Sequence, residues 1–358
     1  TGRSPRLKGR SFAETRSAVL DLIRSEGEIS RTDLARRSAL TEKTISVVVK
    51  SLMESGVVIE SGFAQSTGGK RPILLRLNDQ QLYAVGISIH PARCVLVVCG
   101  LDGAELARGE IRGGGTDEPV AVLKRISAAL NRLLKRLGIA KDSVIGVCIA
   151  MGGRRASADR WQSETSFADA WEPYPAEVEL AKATGLAVMR ENDANCAALG
   201  EFWRTGNASQ DFVTLYMAHG IGCGIVINGS IYRGASGNAG EIGHVQADPN
   251  GRPCWCGRRG CLETVASPRA IIDQIVRSPE LARACGVTPE TDFADIYRRF
   301  GERVKSGVPE ALEVFEVAAG HLAAAVVDLV TTLDLDRVTL AGPGFAELGE
   351  EYRRTIDQ

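Results

Sequence analysis

One histidine and three cysteines stand at a spacing that could bind a metal ion. His244 is followed, after nine residues, by the run Cys254-Trp-Cys256-Gly-Arg-Arg-Gly-Cys261. An imidazole and three thiolates make a complete tetrahedral ligand set for zinc, and they leave no coordination position for a substrate. The two glycines of the run let the chain fold back to deliver the last thiolate. The spacing therefore predicts one structural Zn²⁺ per chain, against the alternative of cysteines that are buried without a metal.

A second group of polar and basic residues, near the N-terminus, could contact DNA. These residues lie near the start of two predicted helices and on a predicted hairpin tip, and they are Arg31, Thr41, Lys43, Thr44, Ser46, Lys70 and Arg71. Hydroxyl and basic side chains at the start of a helix can reach base edges and phosphates. Gly68 and Gly69 would let the hairpin backbone approach a groove closely, with the adjacent basic pair placed against phosphates. The alternative is a small helical module that binds another protein.

The apolar pattern around these residues predicts a winged helix-turn-helix in residues 1–78. Three helices and two extended segments follow one another, namely Glu14–Glu26, a short helix capped by Ser30, Glu42–Ser55 capped by Thr41, Val57–Ser61 and Ile73–Leu77. Serine and threonine are favoured helix caps because their hydroxyls accept hydrogen bonds from free backbone N–H groups. A short turn before the third helix and a basic hairpin after it are typical of a DNA-binding winged helix.

Residues 79–358 carry an α/β pattern that occurs twice. In each half, an antiparallel meander is followed by a helix and a parallel strand. The first half comprises Leu82–Ile89, Cys94–Cys99, Glu105–Arg112, Val120–Leu137 and Ser143–Ala150. The second half comprises Phe212–Met217, Gly222–Ile227, Ile231–Arg233, Leu322–Leu333 and Arg337–Leu340. A duplicated α/β fold predicts two lobes, and the cleft between two lobes is a common place for a ligand.

Charge and hydropathy restrict the class of protein further. The net charge of the chain is −1, but residues 1–79 carry 14 Lys/Arg and 9 Asp/Glu. This N-terminal region is therefore basic, and the remainder of the chain is acidic. A basic N-terminal region indicates a polyanionic binding partner. The apolar run near Leu322–Val330 contains Asp328 and is too short to span a bilayer, and Thr1–Arg10 lacks the apolar core of a secretory signal. An odd count of nine cysteines argues against a disulfide framework. These features predict a soluble, cytoplasmic protein that does not enter a membrane.

Three segments of the body resemble a known family. Gly240–Glu263 resembles the signature of the ROK family (repressors, open reading frames and kinases), in which Gly-His precedes Cys-x-Cys-Gly-x-x-Gly-Cys-x-Glu. Glu191-Asn192-Asp193-Ala194-Asn195 resembles the family's sugar-site motif, and Gly220–Gly224 is similar to its second phosphate loop. The resemblance runs from about Leu82 to the end and implies a two-lobed, actin-like sugar-kinase fold. A winged helix in front is typical of the repressor branch, which includes the N-acetylglucosamine and xylose repressors.

The resemblance also implies a sugar site and its residues. In the family pattern, the residues that line the sugar are Asn192, Asp193, Glu241, His244 and Glu263. Carboxylates and an amide can hold the hydroxyls of a sugar through charge-assisted hydrogen bonds. The histidine could bind zinc through one ring nitrogen and donate the other N–H to a hydroxyl, so that zinc would order the sugar pocket.

The nucleotide side of the family pattern is altered. The first phosphate loop, Asp-x-Gly-x-Thr in the kinases, falls on Ser88–Ala92, which lacks the acidic residue, the glycine and the threonine. Pro91 also removes an N–H donor. His219 replaces a small hydroxyl residue before the second loop, and Leu340–Gly344 resembles the adenosine motif loosely. We therefore predict a sensor without catalytic residues, in which Asp193 is the equivalent of the kinase base.

Three hypotheses follow. The leading one is a homodimeric, or dimer-of-dimers, repressor whose affinity for double-stranded operator DNA responds to a sugar or sugar phosphate. The alternative is an ATP-dependent kinase of a hexose or an N-acetyl-amino sugar that carries a DNA-binding head. The third is a scaffold that binds DNA constitutively or answers to a protein partner. The identity of the sugar, the operator and the direction of the response stay open. The role of Gly152–Trp171, which lacks the family's Pro-Gly, also stays open. The extent of the chain beyond Gln358 stays open as well.

Overall fold

A computed structural model describes residues 11–65, 71–79, 81–115, 117–152, 170–171, 173–205 and 209–358. Two compact units divide the chain: unit 1 comprises Thr1–Ala150 with Pro175–Arg190, and unit 2 comprises Met151–Tyr174 with Glu191–Gln358. The predicted boundary between residues 78 and 79 stays a prediction. All nine cysteines lie in the described part of the chain, and none of them forms a disulfide there.

Unit 1 begins with the predicted winged helix. Its elements are α1 (Phe12–Glu26), β1 (Ile29–Ser30), α2 (Arg31–Ser38), α3 (Glu42–Glu54), β2 (Val58–Phe63) and β3 (Ile73–Leu77). The hydroxyls of Ser30 and Thr41 cap α2 and α3 as predicted, and Ser11 caps α1 in a capping box with Glu14. The sequence analysis missed β1, which is two residues long and pairs with β3. The helices and strands of the winged helix enclose a buried apolar core, to which Leu101, in the turn at residues 101–102, also contributes.

The rest of unit 1 is a five-stranded sheet with helices. The elements are β4 (Tyr83–Ile89), β5 (Arg93–Gly100), β6 (Glu105–Arg112), α4 (Pro119–Leu137), β7 (Val144–Met151), α5 (Ala176–Thr184) and β8 (Val188–Asn192). The strand order is β6-β5-β4-β7-β8, with β4 antiparallel to β5 and parallel to β7. The sequence analysis did not identify α5 or β8, which is short and carries charged residues.

Unit 2 repeats this plan around a four-stranded sheet. Its elements are α6 (Asp193–Arg204), β9 (Phe212–Met217), β10 (Ile221–Ile227), β11 (Ser230–Ile231), α7 (Glu263–Ala266), α8 (Pro268–Arg277), α9 (Pro279–Cys285), α10 (Phe293–Lys305), α11 (Pro309–Leu333), β12 (Arg337–Ala341) and α12 (Gly349–Ile356). The strand order is β11-β10-β9-β12, with β9 antiparallel to β10 and parallel to β12. The predicted duplication is confirmed, because β4 and β9 occupy the same place in their sheets.

The long helix α11 has 25 residues and a mean hydropathy of 1.6 over its most apolar 18-residue window. By length and composition alone it could cross a membrane, and it is longer than the apolar run from which the sequence analysis excluded a span. One face of it, including Phe315, Leu322 and Val326, packs in the apolar core of unit 2 with the fully buried Tyr352. The buried share of this window is 33%, so one face of the helix packs in the core while other apolar residues, such as Val317 and Val327, are exposed.

Candidate functional site

Four side chains in unit 2 converge on a point that could hold a metal ion. One ligand atom from each of His244, Cys254, Cys256 and Cys261 lies within 4.8 Å of the other three, and all four residues are buried. The sulfur atoms of Cys256 and Cys261 are 3.5 Å apart, and the Cys254 sulfur is 3.6 Å from His244 Nδ1. Sulfur ligands of a tetrahedral zinc ion are separated by about 3.8 Å, because Zn–S bonds are about 2.3 Å long. The donor set therefore fits a metal, and it contains the four residues predicted from the sequence.

Glycines and a backbone bridge give the cysteine segment its tight shape. Gly257 and Gly260 have φ angles of +82° and +64°, in the left-handed region that favours glycine. A Cβ atom at Gly260 would overlap the backbone carbonyl of Asp248. Pro253 and Arg259 form an antiparallel bridge across the turn. The chain thus folds back on itself as the spacing predicted.

Backbone N–H groups bond to two of the sulfurs. The Cys254 sulfur accepts a hydrogen bond from the backbone of Cys256, and the Cys256 sulfur accepts one from the backbone of Arg258. Burial raises the pKa of Cys254 to about 12. Burial also acts to raise the pKa of Cys256, but its hydrogen bonds, led by the Arg258 N–H, lower it below the ordinary value. A bound metal would favour the ionised form of all three thiols, so binding would release protons.

His244 connects this cluster to two carboxylates. Its Nε2 atom is 3.9 Å from Glu241 Oε2, while its Nδ1 atom faces the sulfur of Cys254. The Trp255 ring packs edge-on against the imidazole at a centroid distance of 4.7 Å, and the indole N–H donates to Glu263 Oε1 at 2.8 Å. Burial raises the pKa of Glu263 above its ordinary value. The cysteine segment therefore positions three of the five predicted sugar-site residues.

The other two predicted sugar-site residues lie at the start of α6. Asn192 caps the helix, since its Oδ1 atom accepts hydrogen bonds from the N–H groups of Ala194 at 2.9 Å and Asn195 at 3.2 Å. Asp193 Oδ1 accepts from Ala194 N–H at 2.9 Å. Burial raises the pKa of Asp193 to about 6. A Cβ atom at Gly152 would lie 3.1 Å from Asp193 Oδ2, so the glycine leaves space beside that oxygen.

Strand β10 carries both parts of the candidate site. A Cβ atom at Gly224 would clash with the backbone of α6 and would lie 2.6 Å from the Cβ atom of Ala198. On the same strand, Cys223 N–H donates to the Gly240 carbonyl at 2.8 Å, which anchors the segment that leads to His244. Of the three glycines that resemble a phosphate loop, Gly224 therefore allows close packing between α6 and β10, whereas a Cβ atom at Gly220 would lie 2.2 Å from Glu263 Oε2.

We expect Gly224→Ala to destabilise unit 2 and to displace the start of α6. Overpacking of this kind costs about 1–3 kcal/mol, since the backbone of α6 must shift. Gly200→Ala is the matched control, because Gly200 is exposed on the same helix and a Cβ atom there has no neighbour within 4 Å. That control should raise stability by up to about 1 kcal/mol through helix propensity. Thermal unfolding of both variants tests this, and equal melting temperatures would contradict it.

The turn that the sequence analysis aligned with the first phosphate loop joins β4 and β5 in unit 1. The N–H groups of Gly113–Gly115 donate to the carbonyl oxygens of His90–Ala92 at distances of 2.9–3.2 Å. A Cβ atom at Gly113 would clash with the backbone of this turn. A glycine segment thus packs directly against the turn, and Pro91 has no N–H to offer a phosphate.

The predicted DNA-contact residues occupy different environments. Lys43 and Ser46 are exposed on α3. The hydroxyl of Thr44 is hydrogen-bonded to that of Thr41, the cap of α3, at 2.9 Å. Arg31 is paired with Glu60 at 3.2 Å. Arg71 is exposed, whereas Lys70, Gly68 and Gly69 lie outside the described residues, as does most of Gly152–Trp171.

Two further features were missed by the sequence analysis. Val47 and Lys50 are exposed on the same helix as Lys43, which a helical projection of the inward residues would have revealed. Glu191, which is 6% exposed, accepts hydrogen bonds from Arg233 Nε and Asn195 Nδ2, each at 3.1 Å. Glu191 therefore links the segment after β11 to α6 through hydrogen bonds. No local sequence signal predicts that contact.

Comparison with known proteins identifies the family. The sequence profile of the ROK family matches residues 84–353, and a winged helix-turn-helix DNA-binding profile matches residues 12–59. The chain belongs to the ROK family. It is 26% identical to the xylose repressor of Bacillus subtilis over 342 residues, which cover 93% of this chain and 88% of that protein. It is 28% identical to the xylose repressor of Caldicellulosiruptor bescii over 261 residues, covering 72% of this chain and 64% of that protein's length.

A solved ROK structure shares the fold of the whole chain. It is a ROK family transcriptional regulator described as a homologue of the Escherichia coli MLC protein, with 24% identity and a TM-score of 0.71. The superposition covers 97% of this chain and 88% of that one. The actin-like sugar-kinase fold with an N-terminal winged helix is thereby confirmed. ROK glucokinases also match this chain, so family membership alone does not separate a sensor from an enzyme.

Proposed function

We propose that this ROK protein is a cytoplasmic, homodimeric transcriptional repressor whose affinity for operator DNA is controlled by a sugar or sugar phosphate. The proposal is based on the presence of two features in one chain, a DNA-binding head and a candidate sugar site. A winged helix exposes basic residues on its third helix, and the ROK body retains the His244 cluster together with Glu263 and Asp193. Relatives that this chain matches over most of their length include proteins named xylose repressor and N-acetylglucosamine repressor.

Zinc is the metal we propose for the cysteine cluster. Three thiols and one imidazole are soft and borderline donors, a set that suits Zn²⁺ rather than Mg²⁺ or Ca²⁺. With four protein ligands the ion would have no open position, so its role is to hold the segment that carries His244, Trp255 and Glu263. Nδ1 of the histidine would bind the ion, which leaves Nε2 to donate to Glu241 or to a sugar hydroxyl.

The effector site we propose comprises the five residues Asn192, Asp193, Glu241, His244 and Glu263. Each carboxylate can accept a hydrogen bond from a hydroxyl, and Nδ2 of the capping asparagine can donate one. His244 is buried and the other four residues are partly buried, which reduces competition from water and strengthens these bonds. A polyhydroxylated ligand is the class that can satisfy several such acceptors at once.

A sensor fits this chain better than the alternative function, an ATP-dependent sugar kinase. Phosphoryl transfer depends on loops that hold the phosphates as well as on a base. Asp193 could act as the base, but the turn at His90–Ala92 has neither a glycine nor an acidic residue, and its carbonyls are engaged by Gly113–Gly115. An ADP-release assay over a sugar panel should therefore give no turnover, and turnover on any sugar would favour the kinase.

The experiment that tests the proposed function is a titration of DNA binding in the presence of sugars. Duplexes selected by the full-length protein from a randomised library serve as operator, and a panel of monosaccharides and their phosphates serves as effector. We expect one effector to change DNA affinity by a coupling of about 1–3 kcal/mol, and DNA must change effector affinity equally. If every sugar leaves DNA affinity and melting temperature unchanged, the third hypothesis, a constitutive scaffold, replaces this one.

The basic hairpin gives a prediction about salt dependence. Replacing Lys70 and Arg71 by alanine should weaken binding to all duplexes, because these residues are proposed to contact phosphates. The slope of log affinity against log salt should fall by about 0.9 for each phosphate that the protein no longer neutralises. Arg132→Ala with Lys135→Ala, on exposed positions of α4, removes the same charge as a control. A slope that is unchanged in the hairpin variant would exclude the hairpin from the interface.

The raised pKa of Asp193, about 6, predicts a pH-dependent effector affinity. The ionised carboxylate accepts hydrogen bonds from hydroxyls, so protonation competes with the sugar. Affinity should therefore be constant well above pH 6 and should fall by up to about tenfold per unit below it. Glu263 also has a raised pKa, so the Asp193→Asn variant is the control that isolates the contribution of Asp193. Effector affinity that is flat between pH 5 and 7 would contradict the prediction.

A further inference from the structure

Helix α3 exposes an apolar side chain in the middle of a basic face. Lys43, Val47 and Lys50 are exposed, at the i, i+4 and i+7 spacing that puts three residues on one side of a helix. Ser46 is exposed beside them, whereas Ile45 is buried in the core of the winged helix. The Val47 side chain is 54% exposed.

The position of Val47 matters more than its exposure, since single exposed hydrophobic residues are common. In a winged helix-turn-helix, the N-terminal part of the third helix enters the major groove. Because Cα–Cβ bonds tilt towards the N-terminus of a helix, the methyl groups of Val47 lie over the turn that contains Lys43 and Thr44. The hydroxyls of Thr41 and Thr44 are hydrogen-bonded to each other at the start of the helix, and Ser46 and Val47 are two further neutral side chains exposed on its first turns.

We infer that Val47 reads thymine in the operator through contact between its methyl groups and the C5-methyl group of the base. This inference rests on the proposed DNA-binding function. Thymine is the base that presents a methyl group in the major groove of unmodified DNA, so an aliphatic side chain selects it. Of the flanking lysines, Lys43 offers its charge to a phosphate directly, whereas Lys50 Nζ lies 3.8 Å from Glu54 Oε1 and would exchange that exposed ion pair for a phosphate. Val47 thus adds a specificity-determining residue to the polar set on α3.

The test is a thermodynamic cycle between the side chain and the base methyl group. Duplexes selected by the full-length protein are resynthesised with deoxyuridine at one thymine at a time, which removes the methyl group and keeps the hydrogen-bonding edges. At one thymine in each half-site, the wild-type protein should lose about fourfold in affinity per methyl group removed. Val47→Ala should bind the unmodified duplex more weakly and lose nothing further at that thymine, while its salt slope should equal that of wild type.

Two variants serve as controls. Val276→Ala removes the same methyl groups from a valine that is 61% exposed on α8, and it should keep the full sensitivity to deoxyuridine. Val47→Ile keeps an aliphatic side chain and should keep that sensitivity too. If Val47→Ala and wild type respond alike at every thymine, the inference is overturned although the protein binds DNA. If the wild-type protein enriches no duplex at all, the proposed DNA-binding function fails, and the inference fails with it.

Discussion

Cys256→Ser is expected to lower the zinc content of the purified protein from one ion per chain to well below one. Serine is a poor zinc ligand, and loss of one of four ligands leaves three buried donors without a complete coordination sphere. A structural zinc site contributes on the order of 10 kcal/mol to the folding of the segment that it closes. The melting temperature of unit 2 should therefore fall steeply, and the response to any sugar should disappear, because His244, Trp255 and Glu263 are held by this segment.

Elemental analysis of gently purified protein, together with thermal unfolding, measures both effects. Cys196→Ser is the matched control, since Cys196 is a half-buried thiol on α6 outside the cluster and should leave the zinc content unchanged. A chelator should reproduce the loss of stability in wild type, and added Zn²⁺ should reverse it. Wild-type protein that contains no zinc, or Cys256→Ser with full occupancy, would contradict the proposed metal site.

Asp193→Asn is expected to give a protein that binds DNA normally and responds to sugar only at much higher concentrations than wild type. The amide nearly matches the carboxylate in shape, and its oxygen can still accept the hydrogen bond from Ala194 N–H. It lacks the negative charge that strengthens a bond to a sugar hydroxyl. Bonds of that kind contribute about 1.5–3 kcal/mol, so effector affinity should fall roughly tenfold to hundredfold.

Operator titrations with and without effector distinguish this outcome from simple unfolding. The variant should keep the DNA affinity and melting temperature of wild type in the absence of sugar, or gain stability at neutral pH because a buried charge is removed. Asp328→Asn, at an exposed carboxylate on α11, is the control and should respond to sugar like wild type. If Asp193→Asn responds equally well, Asp193 lies outside the effector site.

Much of this protein could be predicted from sequence because the relevant signals are local. The metal ligands Cys254, Cys256 and Cys261 are within eight residues of one another, and their chemistry restricts what they can bind. The caps Ser30 and Thr41 act on N–H groups three residues away. Strands in the meanders are short, apolar and bounded by turns, so their ends were predicted within one or two residues.

The tertiary structure decided which of these residues are available for function, because availability depends on contacts between segments that are distant in the chain. The contact of Thr44 with DNA stays a prediction, but its hydrogen bond to Thr41 and the exposure of Val47, which was not predicted, became visible only in the structure. Gly224 belongs to a segment that resembles a phosphate loop, and in the structure α6 packs directly against this glycine. The bond from Trp255 to Glu263, which joins the metal segment to the effector site, depends on how the chain folds back around the cysteines. The sequence determines the chemistry of each side chain, whereas tertiary packing determines how far that side chain is buried and which groups it contacts.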